Sequence, residues 1–225
     1  MTTSPSPFEP ITIGPLTLRN RFIKSGANEA MCLDGRPTAA LVKHHTDLAR
    51  GGVGMTTVAY MAVAPEGRTL PNQIWMRPDI LPDLKALTAA VHAEGAAISA
   101  QITHGGSFVT GMKVKGRTIS ACSGFNPAGA MKGNFFQRAM TEADMERVIG
   151  EFVASAELAR DAGFDAVELH MGHGYLLNQF ISPLNNRRED EYGGSAENRV
   201  RFPARVLAAV KQAVGDTTAV LAKIN

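Results

Sequence analysis

The sequence predicts an α/β fold in which short parallel strands alternate with helices, as in the N-terminal part of a (β/α)8 barrel. Short runs rich in apolar and β-branched residues alternate with longer segments whose apolar residues recur at the helical period. Glycines stand where those helical segments end. Because helices between consecutive strands are typical of βαβ units, the alternation indicates a parallel sheet of five strands joined by four helices.

The first half of the chain begins with a small β-hairpin. Residues 11–18 read as two short strands around the turn at Gly14-Pro15. In the helices that follow, apolar residues fall on one face, and a glycine just after the last turn ends each helix. The remaining elements of this half are strands at 21–25, 53–59 and 96–102 and helices at 38–50 and 80–93.

A glycine-rich segment over residues 104–140 separates the two halves, and we expect it to be a long irregular loop. Loops of this length in a compact domain are usually functional or disordered. Thr141 and Asp144 then form a helix start of the capping-box type, with Asp in place of the usual Glu. The elements of the second half are helices at 141–162 and 195–214 and strands at 164–169 and 218–225.

The predicted elements account for five strands of a (β/α)8 barrel. Such a barrel typically needs about 250 residues, and this sequence ends inside or just after its fifth strand. We therefore expect a single incomplete domain over residues 1–225, with the C-terminal strands absent. A complete doubly wound sheet is the alternative, but Ser25-Gly-Ala-Asn28 after strand one is not the GxGxxG fingerprint of that fold.

Composition and charge exclude several classes of function. The net charge is only +2, from 23 basic and 21 acidic residues, which is too balanced for a nucleic-acid partner or an acidic membrane surface. No segment is long and apolar enough to span a bilayer. The two cysteines, Cys32 and Cys122, lie far apart and have no metal-binding spacing, so a reducing cytoplasm is the expected location.

Polar side chains follow every predicted strand of the sheet at its C-terminal end. In a parallel barrel these strand ends meet at one face, and active sites lie there. A single polar residue at such a place means little, but a polar residue after each strand implies a polar site. These residues are Ser25, Asn28, Tyr60, Gln101, His104, His170, His173, Lys223 and Asn225.

The segment from Glu168 to Tyr175 concentrates proton-handling groups after strand four. His170, His173 and Tyr175 fall within six residues of one another. Two imidazoles and a phenol at the same end of the barrel suit the polarisation of a carbonyl and the delivery of a proton. The HxxH spacing also fits two zinc ligands, as in a metal-dependent barrel enzyme. No third ligand has a suitable spacing, so we predict no metal.

Three further polar residues each allow two interpretations. Gln101 offers a donor and an acceptor to a planar heterocycle, or its amide satisfies loop backbone. Lys223 lies in an otherwise apolar strand, so its charge needs either a ligand anion or a carboxylate such as Glu168. His104 serves the site or only braces the loop that follows strand three.

The most specific motif of the chain begins at His170. It reads His170-Met-Gly-His173-Gly-Tyr-Leu-Leu-Asn-Gln-Phe-Ile-Ser-Pro183 and continues through Asn186-Arg187, Tyr192-Gly-Gly-Ser195 and Glu197-Asn198-Arg199 to Phe202. Leu18-Arg-Asn-Arg21, Gly51-Gly-Val-Gly54 and Gln101 with His104 support it. From Pro10 to Asn225, the chain resembles the old yellow enzyme family of FMN-dependent ene-reductases, also called the NADH:flavin oxidoreductases.

The resemblance implies an FMN-dependent oxidoreductase. Hydride would pass from NAD(P)H through the flavin to the activated C=C bond of an α,β-unsaturated carbonyl compound, a small-molecule enone or a similar substrate. His170 and His173 would bind the carbonyl oxygen, and Tyr175 would protonate the α carbon. Assembly with further copies is left open. The residues implied to contact FMN are Ser25, Gly26, Ala27, Asn28, Tyr60, Gln101, His170 and Lys223.

The chain departs from the family pattern at several of these positions. Asn28 stands where Thr or Cys is common, and Tyr60 replaces a residue that is usually small. The family more often has Asn at His173 and Arg at Lys223. A 2,4-dienoyl-CoA reductase-like branch is one alternative. An inactive half barrel with only a binding role is another, because the usual phosphate site comes from loops after strands seven and eight.

Overall fold

The computed structural model of the chain describes residues 5–225, and its centre is a five-stranded parallel sheet. The strands are β1 Ile11–Ile13, β2 Leu16–Leu18, β3 Ile23–Lys24, β4 Cys32–Leu33, β5 Arg36–Pro37, β6 Met55–Ala62, β7 Ala97–Thr103, β8 Thr118–Ser120, β9 Gly124–Phe125, β10 Phe136–Ala139, β11 Ala166–Met171 and β12 Ala219–Ile224. The α-helices are α1 Ala39–Arg50, α2 Leu81–His92, α3 Glu142–Asp161, α4 Leu176–Ile181 and α5 Ala196–Val214.

The central sheet runs β12-β11-β7-β6-β3, with every neighbouring pair parallel. The strands therefore follow one another across the sheet in the same order as along the chain. A doubly wound sheet reverses its strand order at a switch point, so the doubly wound alternative is wrong. Winding in one direction is the arrangement of a barrel, and the sheet forms a half barrel.

The core lies between this sheet and the helices that connect its strands. α3 and α4 both pack against α5, and Phe152, Phe180 and Phe202, one on each of these helices, are fully buried. Burying a side chain of this size typically stabilises a fold by about 1.5–3 kcal/mol. The helical periodicity of the sequence thus identifies the faces that form the core.

The predicted hairpin, the five strands and the four long helices are all present, with small changes in their bounds. β3 is only two residues long, whereas β6 and β11 extend two or three residues beyond their predicted C-terminal ends. Thr38 caps α1, and Thr141 with Asp144 forms a full capping box on α3. None of the helices within residues 5–225 has the length and apolar character needed to cross a membrane.

The prediction of an irregular loop over residues 104–140 is wrong. This segment contains a three-stranded sheet in which β10 lies between β8 and β9. Two buried asparagines anchor it: Asn126 Nδ2 donates to the Ser107 carbonyl (2.8 Å), and Asn134 Oδ1 accepts from the Val114 N–H (3.0 Å). Because the paired residues of β8 and β10 lie 19 positions apart in the sequence, no local pattern reveals the sheet.

Candidate active site

Strand register places several of the predicted site residues side by side. Glu168 on β11 lies opposite Gln101 on β7, and His170 on β11 lies opposite Lys223 on β12. Asn28 forms an isolated parallel bridge with Ala59 on β6. The C-terminal ends of the parallel strands therefore bring these side chains to one face of the sheet, as the sequence predicts.

His170 and His173 contact each other at the end of β11. His170 is 2% exposed, and its Nδ1 accepts a hydrogen bond from the Gly172 N–H (3.2 Å). A neutral imidazole has one N–H, so His170 carries its proton on Nε2 and donates it to His173 Nδ1 (3.2 Å). His173 then carries its own proton on Nε2. In this arrangement, the Nε2–H of the exposed His173 is free to bind a ligand, whereas the Nε2–H of His170 is already bonded to His173.

The electrostatic environment keeps His170 neutral. Burial lowers the pKa of His170 to about 3, and the neighbouring His173 and Lys223 lower it further. His173 has a positive φ of 57° and is held by its N–H, which donates to Asn225 Oδ1 (2.6 Å). Gly172 lies so close to Asn225 that a Cβ there would stand 2.1 Å from Oδ1. The turn that presents the two imidazoles is thus fixed to the end of β12.

Tyr175 lies directly beside this histidine pair. Its ring centroid is 4.7 Å from that of His170 and 5.6 Å from that of Phe108. Burial raises the pKa of the Tyr175 phenol, and the adjacent Tyr60 hydroxyl raises it further. The phenol therefore stays protonated throughout the physiological pH range and can act as a proton donor.

Gln101 and Lys223 approach the loop that follows β3. Gln101 Nε2 donates to Glu168 Oε1, which leaves the amide oxygen of Gln101 as an open acceptor. Lys223 Nζ donates to the Gly26 carbonyl (3.0 Å). The ion pair between Lys223 and Glu168, which was one of its two interpretations, is therefore not formed.

The loop at residues 25–28 rests on Gln101 through a glycine. A Cβ on Gly26 would stand 2.4 Å from Gln101 Nε2, so only glycine fits without displacement of that side chain. Gly26 is buried, whereas Ser25, Ala27 and Asn28 are exposed. Gly26 therefore contacts both Gln101 and Lys223, and the loop joins these two side chains.

Tyr60 lies beside Tyr175 and His170. Its ring centroid lies 5.2 Å from that of Tyr175 and 6.2 Å from that of His170. Its hydroxyl hydrogen-bonds to Thr69 Oγ1 at 2.7 Å. The side chain therefore belongs to the group of rings around the phenol of Tyr175.

His104 braces the loop after β7. Its Nδ1 accepts the Gly106 N–H (3.0 Å), and its carbonyl accepts the Leu176 N–H (2.9 Å). Gln179 on α4 ties the same loop to the turn after β11, because its amide donates to the Gly105 and Gly174 carbonyls. Sequence analysis does not identify Gln179, since a single glutamine in a six-residue helix carries no distinctive pattern.

Two clusters within residues 5–225 have three side chains spaced as metal ligands, and neither includes His170 or His173. They are Glu29, His44 and His45, and Glu66, His104 and Glu151. In each cluster a basic side chain already pairs with the carboxylates: Lys24 with Glu29, and Arg147 with both Glu66 and Glu151.

The chain matches the model of the NADH:flavin oxidoreductase / NADH oxidase family over residues 6–224. The chain belongs to this family. It is 44% identical to 4,4'-dithiodibutanoate disulfide reductase of Rhodococcus erythropolis, over 100% of this chain and 55% of that protein. It is 37% identical to an NADPH dehydrogenase of Geobacillus thermodenitrificans, over 91% of this chain and 59% of that protein. The chain thus spans little more than half the length of these relatives.

Solved structures show the same relationship. Old Yellow Enzyme from Pichia sp. AKU4542 matches with a TM-score of 0.87 and 28% identity, over 97% of this chain and 59% of that one. Morphinone reductase in complex with tetrahydroNAD matches with a TM-score of 0.86 and 26% identity, over 98% of this chain and 64% of that one. The resemblance to the old yellow enzyme family is confirmed, and the family is one of flavin oxidoreductases that include NADPH dehydrogenases.

Proposed function

We propose that the chain is the N-terminal part of an FMN-dependent oxidoreductase that transfers hydride from NAD(P)H to the activated C=C bond of an α,β-unsaturated carbonyl compound. On this proposal, residues 1–225 are a single domain that supplies the first five β/α units of an eight-stranded barrel. The direct strand order of the sheet supports the barrel. Coverage of only 55–64% of the relatives and structures compared above supports an incomplete domain.

The residues at the strand ends fit an isoalloxazine ring. The open amide oxygen of Gln101 is an acceptor for a ring N–H, and the Lys223 ammonium favours negative charge on the ring. Gly26 lets the backbone of the 25–28 loop approach the Gln101 amide more closely than any residue with a Cβ would allow. When bound, FMN would supply the two-electron hydride chemistry that no amino-acid side chain provides.

The observation that carries the proposal is the contact between His170, His173 and Tyr175. Reduction of an enone builds negative charge on its carbonyl oxygen, and the open Nε2–H of His173 is a donor for that charge. Rotation of the His173 ring would free the Nε2–H of His170 as a second donor. Removal of one such donor typically costs about 10²–10³ in rate. Burial keeps His170 unprotonated, so its imidazole would act as a neutral donor.

Tyr175 is the proton donor in this proposal. The α carbon must gain a proton as the C=C bond is reduced, and a general acid typically contributes about 10²–10⁴ in rate. The raised pKa of Tyr175 keeps the phenol protonated until negative charge develops on the α carbon of the substrate. The contact between the rings of Tyr175 and His170 supports a proton donor beside the histidine pair.

The test is NAD(P)H-dependent reduction of a cyclic enone by the FMN-loaded protein, with deuterium from solvent water followed into the α position of the product. Tyr175→Phe should lower this rate at least about 100-fold, and His170→Ala should weaken the binding of a phenolic ligand. Tyr192→Phe is the matched control, because Tyr192 bonds Glu142 away from the site. Equal rates in wild type and Tyr175→Phe would exclude the proposed role of this phenol.

Reduction of a disulfide is a second candidate, favoured by the 44% identity to 4,4'-dithiodibutanoate disulfide reductase. That reaction breaks one S–S bond with two electrons and two protons and yields two thiols, so Tyr175 could protonate a leaving thiolate. A CoA-thioester substrate is a third, and 2-naphthoyl-CoA reductase is among the structural matches, with a TM-score of 0.85. Assays with an enone, a dicarboxylic disulfide and a dienoyl-CoA would separate these candidates from an inactive half barrel.

A further inference from the structure

Tyr60 is held rigidly at both its backbone and its hydroxyl. Gln73 Nε2 donates to the Tyr60 carbonyl (3.1 Å), and the Tyr60 hydroxyl bonds Thr69 Oγ1 (2.7 Å). Thr69 and Gln73 are both buried, so solvent does not compete for these bonds. The position and the rotation of the Tyr60 ring are therefore set by the segment that follows β6.

The direction of each hydrogen bond follows from the chemistry of Gln73. Its Oε1 accepts both the Thr69 N–H (2.6 Å) and the Thr69 hydroxyl (3.1 Å), since an amide oxygen can only accept. The Thr69 proton is thus committed to Gln73, and Thr69 Oγ1 must accept the proton of Tyr60. The Tyr60 O–H points to Thr69, and its remaining lone pair is left for another donor.

The ring that carries this hydroxyl lies next to the Tyr175 ring. The Tyr60 ring tilts by 45° against the Tyr175 ring at a centroid distance of 5.2 Å and stands edge-on to His170. Phe108 contacts Tyr175 at 69° and 5.6 Å. Of the described titratable groups, Tyr60 on β6 and His170 on β11 face the phenol, with His173 next to His170 and Lys223 on the neighbouring β12.

We propose that Tyr60 is a positioning residue for Tyr175: its oxygen accepts the Tyr175 O–H in the absence of substrate, and its ring keeps Tyr175 packed against His170. The inference rests on the proposed function, in which Tyr175 donates a proton. In that step the Tyr175 O–H bond breaks as a C–H bond forms at the substrate, and the tyrosinate is reprotonated from solvent. Tyr60 keeps its own proton, because Gln73 Oε1 has no proton to pass to Thr69.

The first test needs no flavin. The chain has three tyrosines, so fluorotyrosine incorporation gives fluorine NMR signals that single substitutions can assign. Tyr60→Phe keeps the ring but removes the acceptor, and the acid dissociation constant of Tyr175 should rise about three- to tenfold, the size of one hydrogen bond. Tyr192→Phe should leave that constant unchanged. An unchanged ionisation of Tyr175 in Tyr60→Phe would overturn the proposal.

Thr69→Val is a second variant that tests the same hydrogen bond while both tyrosines are kept. Loss of Thr69 Oγ1 frees the Tyr60 O–H to turn and donate to Tyr175, which stabilises the tyrosinate. The acid dissociation constant of Tyr175 should therefore rise in this variant too. If Tyr60→Phe does not fold, this variant decides the question, and an unchanged or lowered constant contradicts the inferred hydrogen-bond direction.

A kinetic comparison uses the FMN-loaded protein with two electron acceptors. Enone reduction requires proton transfer to carbon, whereas ferricyanide reduction does not. Tyr60→Phe should lower kcat with the enone about three- to tenfold and leave the ferricyanide rate unchanged. Equal loss with both acceptors would indicate a merely structural role. A wild-type protein without flavin-dependent enone reduction would refute the proposed function, while the fluorine NMR result would still decide the inference on Tyr60.

Discussion

The ion pair between Lys24 and Glu29 should be the most sensitive electrostatic element beneath the site. These residues flank the 25–28 loop, and their side chains are only 19% and 4% exposed. Lys24 Nζ also donates to the Thr57 carbonyl (3.0 Å), and the second carboxylate oxygen of Glu29 accepts the Ala59 N–H (3.1 Å). The pair thus ties both ends of the loop to β6.

Glu29→Ala leaves the Lys24 charge in a largely buried place and the Ala59 N–H without its acceptor. Removal of one partner of a buried ion pair typically costs about 3–5 kcal/mol. The partial exposure of Lys24 favours the low end of that range, about 3 kcal/mol. The nearby His45, whose Nε2 lies 3.7 Å from Glu29 Oε1, cannot replace the lost negative charge. An imidazole is never an anion at neutral pH, and burial lowers the pKa of His45 to about 3, so it stays neutral. For a domain of this size the loss corresponds to a fall in Tm of about 6–12 °C.

Urea denaturation of the flavin-free chain measures this loss directly. Glu29→Gln should cost less than Glu29→Ala, because the amide oxygen can still accept the Ala59 N–H. The double variant Lys24→Met/Glu29→Gln removes both charges, so it should be more stable than the sum of the single losses by about 0.5–3 kcal/mol. A cost below about 1 kcal/mol for Glu29→Ala, as for an exposed pair, or additive losses in the double variant, would refute the reasoning.

Two further predictions concern packing and acid stability. Gly26→Ala should weaken FMN binding at least about tenfold, because its Cβ would stand 2.4 Å from Gln101 Nε2; flavin fluorescence titration measures this, and unchanged affinity would contradict it. Burial lowers the pKa of His45, His104 and His170 to about 3 in the folded chain. In the unfolded chain each histidine has the ordinary pKa of 6.5, so between pH 6.5 and 3 only the unfolded chain binds these protons. The free energy of unfolding should therefore be insensitive to these groups above pH 7 and fall by up to about 1.4 kcal/mol per pH unit for each histidine between pH 6.5 and 3. Urea denaturation at several pH values should show a smaller slope for His104→Gln, and a stability that stays constant from pH 7 to 4.5 would exclude this account.

The parallel sheet could be predicted because its signals are local. Apolar periodicity and the glycines after each helix identify the elements, and the alternation of strands and helices identifies the sheet. The strand-end rule then groups Gln101, His170 and Lys223 before any coordinates are known. Their register in the structure agrees with that grouping.

What could not be predicted depends on non-local contacts and side-chain direction. The β8–β10 sheet is held by Asn126 and Asn134, whose partners lie 19 to 25 residues away for several of their bonds. The hairpin of β4 and β5 and the helix α4 are too short for a periodic pattern. The direction of the Tyr60 ring depends on Thr69 and Gln73, because their hydrogen bonds select one of several rotamers.

Absorbance titration of the folded 225-residue chain with FMN tests the central claim most directly. We expect a saturable shift of the flavin band that is weakened by Lys223→Met and by Gln101→Ala. Lys211→Met is the matched control, because Lys211 is an exposed residue on α5. Saturable binding with this pattern would support a flavin site built from the strand ends described here. An unchanged flavin band with a folded chain, or binding that neither Lys223→Met nor Gln101→Ala weakens, would contradict the claim that these strand ends bind the flavin ring.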